Sequence, residues 1–155
     1  MRIALGADHR GHNAIRLLAD KLRRDGHDVQ ILGGDSPQPS DYPDKAWLVG
    51  KALAAGQADL GILICGTGIG MSIAANKIPG IRAAVVHDEL TAQLARSHNN
   101  ANVICMSADL LGQRLIEKII DVALRTTFEG GRHARRVNKI ALIESGQDPT
   151  TAPAD

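Results

Sequence analysis

Short aliphatic runs separated by longer stretches of helical periodicity constrain this chain more than any other feature of its sequence. Arg2 to Ala7, Asp28 to Leu32, Leu60 to Cys65, Arg82 to Val86 and Asn102 to Met106 carry charge only at their first residue, if at all. They lack the strict in–out alternation of a sheet with one wet face, so they read as parallel strands covered on both sides. Between them, Asn13 to Asp25, Pro43 to Ala55, Gly70 to Lys77, Glu89 to Ser97 and Leu110 to Thr126 read as helices, and Ala134 to Glu144 adds a sixth. The alternation predicts an α/β class, with a five-stranded parallel Rossmann-like sheet in a three-layer αβα arrangement. At 155 residues one domain is expected, spanning residues 1–146. The tail 147–155 holds Pro149 and Pro153 without periodic apolar residues and is expected to be disordered. The turn-rich segment Gly33 to Ser40 reads as a surface loop.

Charge and composition exclude several classes of partner. Lys plus Arg number 18 against 17 Asp plus Glu, which leaves no general electrostatic footprint for nucleic acid or an anionic membrane. One Tyr, one Trp and one Phe are too few to build a base-stacking platform. The apolar runs are far shorter than the roughly 20 residues of a membrane span, and no basic and apolar leader opens the chain. Two cysteines, Cys65 and Cys105, cannot form a disulfide framework and fit a reducing compartment, so a cytoplasmic location is expected.

Ligands of open parallel sheets collect beyond the carboxyl ends of the strands. There the sequence places Asp8, His9 and Gly11 after the first strand, Cys65-Gly66-Thr67-Gly68-Ile69-Gly70 after the third, and His87 and Asp88 after the fourth. Three glycines between a strand and a helix let several backbone N–H groups converge on an oxyanion or phosphate, although a tight turn without a ligand has the same pattern. A dinucleotide fingerprint is the weaker alternative, because Met71 occupies the third-glycine position. Cys65 precedes a helix N-terminus, which suits a base or nucleophile, whereas Cys105 within the fifth strand reads as an inert core thiol. Asp8 and His9 read equally well as a helix cap and a surface imidazole, and His98 as a helix end. His9 and His12 lack a third ligand at a recognisable spacing, so no metal is expected. Arg132 and Arg136, four apart at a helix start, oppose the helix dipole unless an anion compensates, and a phosphate would do so. A solvated basic patch is the bland alternative.

Asp8-His9-Arg10-Gly11, Asp41-Tyr42-Pro43, Cys65 to Gly70, Ala74 to Lys77, Gly80 to Ala83, His98-Asn99-Asn100 and Gly130 to His133 together resemble the type B ribose-5-phosphate isomerases, from Arg2 to about Glu144. The resemblance implies metal-free and cofactor-free interconversion of ribose 5-phosphate and ribulose 5-phosphate through a cis-enediolate, as in the pentose phosphate pathway. It implies that Cys65 moves the proton between C1 and C2, that Thr67 assists, and that Asp8 handles hydroxyl protons. N–H groups around Gly66, Gly68, Ile69 and Gly70 would hold the enediolate oxygen. His98 would open the furanose ring, His9, Arg132 and Arg136 would bind phosphate, and Tyr42 and Asn99 would shape the sugar site. The resemblance further implies a homodimer with His98 and Asn99 donated across the interface, and a tetramer is the further option. Relatives that lack the cysteine carry a glutamate at the position of Met71, which cannot act as a base, so this chain resembles the cysteine-dependent branch. Asp109 stands where many relatives have a phosphate-binding arginine, which implies an altered local geometry or a different substrate. Isomerases of allose 6-phosphate and galactose 6-phosphate share the motifs, and a noncatalytic sugar-phosphate-binding subunit is the alternative outside enzymology.

Overall fold

The computed structural model describes residues 1–34 and 36–152. Five strands, β1 (Arg2–Ala7), β2 (Asp28–Ile31), β3 (Leu60–Cys65), β4 (Ala83–Val85) and β5 (Val103–Ser107), form one parallel sheet in the order β2-β1-β3-β5-β4. The helices are α1 (His12–Arg24), α2 (Tyr42–Ala54), α3 (Ile69–Ala75), α4 (Glu89–Ser97), α5 (Gln113–Arg125) and α6 (Arg132–Glu144). Every expected strand and helix is present; β1, β3 and α4 have the expected ends, and the other ends shift by at most three residues. The largest displacement is at α5, whose entry is delayed while Ser107 Oγ accepts the Leu110 N–H at 2.9 Å and Gly112 stays extended.

Burial explains the strand signal. All six residues of central β3 are buried, whereas edge strand β2 alternates and edge strand β4 is only three half-buried residues. The period-two direction of side chains divides the interior into two cores. Leu5, Ile62, Ile64, Ile104 and Met106 face α1, α4 and α5 through Ile15, Leu18, Ala92 and Ile120. Ala4, Leu63, Cys65, Val103 and Cys105 face α2 and α3 through Ala46, Val49, Met71 and Ala75. Each fully buried Leu or Ile adds about 1.5–3 kcal/mol, enough to order the helix that carries several. α5 satisfies this with Ile116, Ile119, Ile120 and Ala123, spaced on one face. α6 does not: only His133, in its first turn, is buried, and Ile140 and Ile143 stay exposed.

Within the segment expected to lack order, Pro149–Thr151 forms a 3-10 turn, with the Asp148 carboxylate accepting the Thr150 N–H at 2.8 Å. The rest of that expectation, residues 153–155, lies outside the described residues, as does Asp35 of the Gly33–Ser40 loop. Among the described residues no helix is long and apolar enough to cross a membrane.

Candidate active site

The sheet has a reversal point between β1 and β3: the chain leaves β1 for β2 on one side and returns to β3 on the other. In open parallel sheets the crevice at the carboxyl end of such a pair is the binding position. Here it holds Asp8 and Cys65, and the Asp8 N–H donates to the Ile64 carbonyl at 3.3 Å, which locks the two loops together. Asp8 is buried, and its Oδ1 accepts the N–H groups of Arg10 at 2.9 Å and Gly11 at 3.2 Å. The carboxylate thus closes the turn between β1 and α1, while the N-cap of α1 is Gly11 and not Asp8. His12 is buried too, but its Nδ1–H donates to the Gly34 carbonyl at 2.7 Å, whereas His9 is exposed and accepts the Ser40 N–H at 3.4 Å. The two imidazoles therefore serve separate contacts.

Cys65 ends β3 in the core, and its Sγ accepts the N–H of Gly68 at 3.1 Å. That donor is thereby committed to sulfur, a difference from the expectation that it holds an enediolate oxygen. Thr67 Oγ1 accepts the Ile69 N–H at 3.3 Å. The N–H of Gly70, in the first turn of α3, has no acceptor within its helix. Gly68 adopts φ +78°, and a Cβ there would lie 3.0 Å from the Met106 carbonyl carbon, so the loop can pass over β5 only as glycine. Gly70 has a different reason: a Cβ would come within 2.6 Å of the Tyr42 ring, which lies across the start of α3. Met71 points into the second core, and burial pushes the Cys105 thiol far above its ordinary range, leaving that thiol inert.

Arg10 is the residue whose role sequence reasoning missed. Its Nε lies 3.0 and 2.9 Å from the two carboxylate oxygens of Asp109, and its Nη2 lies 2.8 Å from Oδ1. The pair closes over Gly66, where a Cβ would sit 3.0 Å from Asp109 Oδ2. The anion at position 109 is therefore neutralised from the β1–α1 loop, and the Asp109 side chain raises the Arg10 pKa above its ordinary value. The only sequence signal was the mismatch at Asp109, because its partner lies 99 residues away.

The remaining expected residues gather elsewhere. His98 follows α4, and α4 runs back from the carboxyl end of β4 to the amino end of β5. α5 makes the same return, so α6 also starts at the amino edge with Arg132 and Arg136. His98, Asn99, Arg132 and Arg136 thus lie at the edge opposite Asp8, Tyr42 and Cys65, and one chain does not bring the two sets together. The His98 and His133 rings stack with centroids 4.0 Å apart and planes 9° from parallel. Glu129 reaches both, with Oε1 3.8 Å from His98 Nε2 and Oε2 3.5 Å from His133 Nε2. These three side chains are a composition that can ligate a metal. Stacked rings, however, set their in-plane lone pairs side by side, whereas two ligating imidazoles must aim at one point.

The sequence signature of the Ribose/Galactose Isomerase family matches residues 3–140. The chain belongs to that family. Ribose-5-phosphate isomerase B of Escherichia coli is 44% identical over 143 residues, 92% of this chain and 96% of the relative. D-erythrulose-4-phosphate isomerase of Pectobacterium atrosepticum is 42% identical over 145 residues, 93% and 95% of the two chains. Ribose-5-phosphate isomerase B of Mycoplasma genitalium, solved with bound ribulose 5-phosphate, superposes with a TM-score of 0.89 at 43% identity, covering 93% of this chain and 96% of that one. The three-layer α/β fold on a five-stranded parallel sheet is thus shared with that solved ribose-5-phosphate isomerase B.

Proposed function

We propose that this isomerase interconverts ribose 5-phosphate and ribulose 5-phosphate through a cis-enediolate, with Cys65 as the base. The observation that carries the reading is the Cys65 sulfur at the reversal point of the sheet, beside the buried Asp8 carboxylate and at the mouth of the glycine loop. Cys65 takes the proton from C2 of the open-chain aldose, and the electron pair forms the C1–C2 double bond as the carbonyl oxygen becomes an enediolate. The same proton, or one from solvent, returns to C1. Asp8 exchanges the hydroxyl protons, Thr67 assists beside it, and Tyr42 bounds the sugar. The N–H groups of Gly66 and Gly70 serve the developing oxyanion, where preorganised donors are worth most, and the Ile69 N–H joins them once it leaves Thr67 Oγ1. No cofactor enters this scheme. A reducing, cytoplasmic setting suits its two free buried thiols.

The other half of the site comes from a second copy of the chain. His98 opens the sugar ring, Asn99 contacts the sugar, and Arg132 and Arg136 hold the phosphate together with His9 of the first copy. Two features support a two-fold dimer: the expected residues lie at opposite edges of the sheet, and α6 leaves Ile140 and Ile143 largely exposed in its own chain. A two-fold partner supplies both the missing half and the cover.

Coupled assays of purified protein test the reading. Ribose 5-phosphate should turn over, and Cys65→Ala should lower kcat at least about a hundredfold while sugar-phosphate binding survives. Near-normal kcat in that variant refutes Cys65 as the base. A second reading, a different sugar phosphate, is favoured by the Pectobacterium relative. It would show as higher kcat/KM for a four- or six-carbon phosphate, including allose 6-phosphate, than for ribose 5-phosphate.

A further inference from the structure

The segment between α5 and α6 does more than connect them. The Glu129 N–H donates to the Ser97 carbonyl at 3.0 Å, which pins the segment against the end of α4 beside His98. Gly130 and Gly131, at φ +69° and +53°, then reverse the chain so that His133, in the first turn of α6, stacks on the His98 ring. Glu129 is the carboxylate within reach of both rings.

Two groups reach His133 Nε2, the Arg132 Nε–H at 3.4 Å and Glu129 Oε2 at 3.5 Å; with the arginine donating, that nitrogen is an acceptor and the His133 proton belongs on Nδ1. Burial, followed by His98 and Arg132, pushes the His133 imidazole below its ordinary pKa; Arg136 acts in the same direction, and only Glu129 opposes them. His133 is thus a neutral ring. A carboxylate that faces one neutral acceptor and one free imidazole directs its charge to the latter, and His98 is the half-exposed member of the pair.

We propose that Glu129 is a positioning residue for His98: it holds the His98 proton on Nε2 and so makes Nδ1 the nitrogen that exchanges a proton with the sugar. The inference rests on the reading that His98 opens the ring. Opening breaks the C1–O4 bond, and its electron pair goes to O4, which takes the Nδ1 proton of the imidazolium. The C1 hydroxyl releases its proton to water as C1 becomes the aldehyde, and His98 is reprotonated from solvent. His133 keeps the ring plane fixed through the stack, and it adds no charge of its own.

The test uses the full-length protein. Nitrogen-15 spectra of the histidine rings, taken where His98 is neutral, should show its proton on Nε2, and Glu129→Gln should abolish that preference. Glu129→Gln should also slow turnover of ribose 5-phosphate about tenfold, while deuterium wash-in at C1 of ribulose 5-phosphate is retained. Ribulose 5-phosphate cannot close a furanose ring through its phosphorylated C5 oxygen, so wash-in reports the Cys65 step alone. Glu129→Asp should restore part of the turnover. A His98 proton on Nδ1 in the wild type, or one unmoved in Glu129→Gln, overturns the proposal. Unchanged turnover, or parallel loss of turnover and wash-in at an unchanged melting temperature, does the same. Wild-type protein that holds the Nε2 proton yet neither isomerises nor exchanges overturns the isomerase reading instead.

Discussion

Beside the loop proposed to receive a sugar phosphate, Asp109 presents an anion and Arg10 answers it with a forked contact. Remove Arg10 and the carboxylate faces the incoming phosphate ester alone. Arg10→Ala should therefore raise KM for ribose 5-phosphate several-fold with less effect on kcat, and Arg10→Ala with Asp109→Ala should recover most of the loss. Additive effects in the double variant would show that the two side chains act independently. His133 carries a second residue-scale prediction. Its folded pKa lies below the ordinary 6.5, so the unfolded chain binds the proton more readily and the stabilising difference is complete above that value. It is lost as pH falls from 6.5 toward the folded pKa. Wild-type melting temperature should thus fall more steeply between pH 7 and 5 than that of His133→Asn; equal slopes would remove His133 as the cause. Asp8 and Cys65 were legible as candidates because each stands at the end of an apolar run, whereas His98 was legible only through the family motif His98-Asn99-Asn100. Arg10 and Glu129 were not, since their meaning depends on partners brought together only by folding.

Among the elements, the β3–α3 connection is the most demanding. Gly68→Ala puts a Cβ on a left-handed residue and against the β5 backbone, which should cost about 1–3 kcal/mol. Differential scanning calorimetry should record a drop of a few degrees for a chain of this size, and an unchanged Tm would mean that the loop relaxes freely. Gly70→Ala acts on a neighbour instead, displacing Tyr42, and should weaken sugar binding more than it lowers Tm. The strands were easy to read because burial on both faces leaves almost no polar residues in β1, β3 and β5. Their spatial order was not, because a crossover that places β5 between β3 and β4 leaves the same alternation in the sequence. Nor could periodicity reveal that α6, whose Val137, Ile140 and Ile143 recur at helical spacing, has so little cover in its own chain.

For the whole molecule, the placement of the two residue sets at opposite sheet edges makes a direct complementation test possible. Cys65→Ala and His98→Ala proteins should each be nearly inactive. Mixed and reassorted in equal amounts, about half the dimers are heterodimers, in which one site carries both lesions and the other neither, so roughly a quarter of all sites should work. Co-purification of differently tagged subunits verifies the mixing. Heterodimers no more active than the parents would place both residues in one subunit's site. The same separation has a kinetic consequence. If neither end of the sheet suffices alone, a solitary chain is a catalyst with its halves facing away from each other, and rate is second order in protein below the dissociation constant of the pair. Progress curves on serial dilution should bend from a linear to a quadratic dependence on protein, and the position of the bend measures the strength of the embrace that α6 completes.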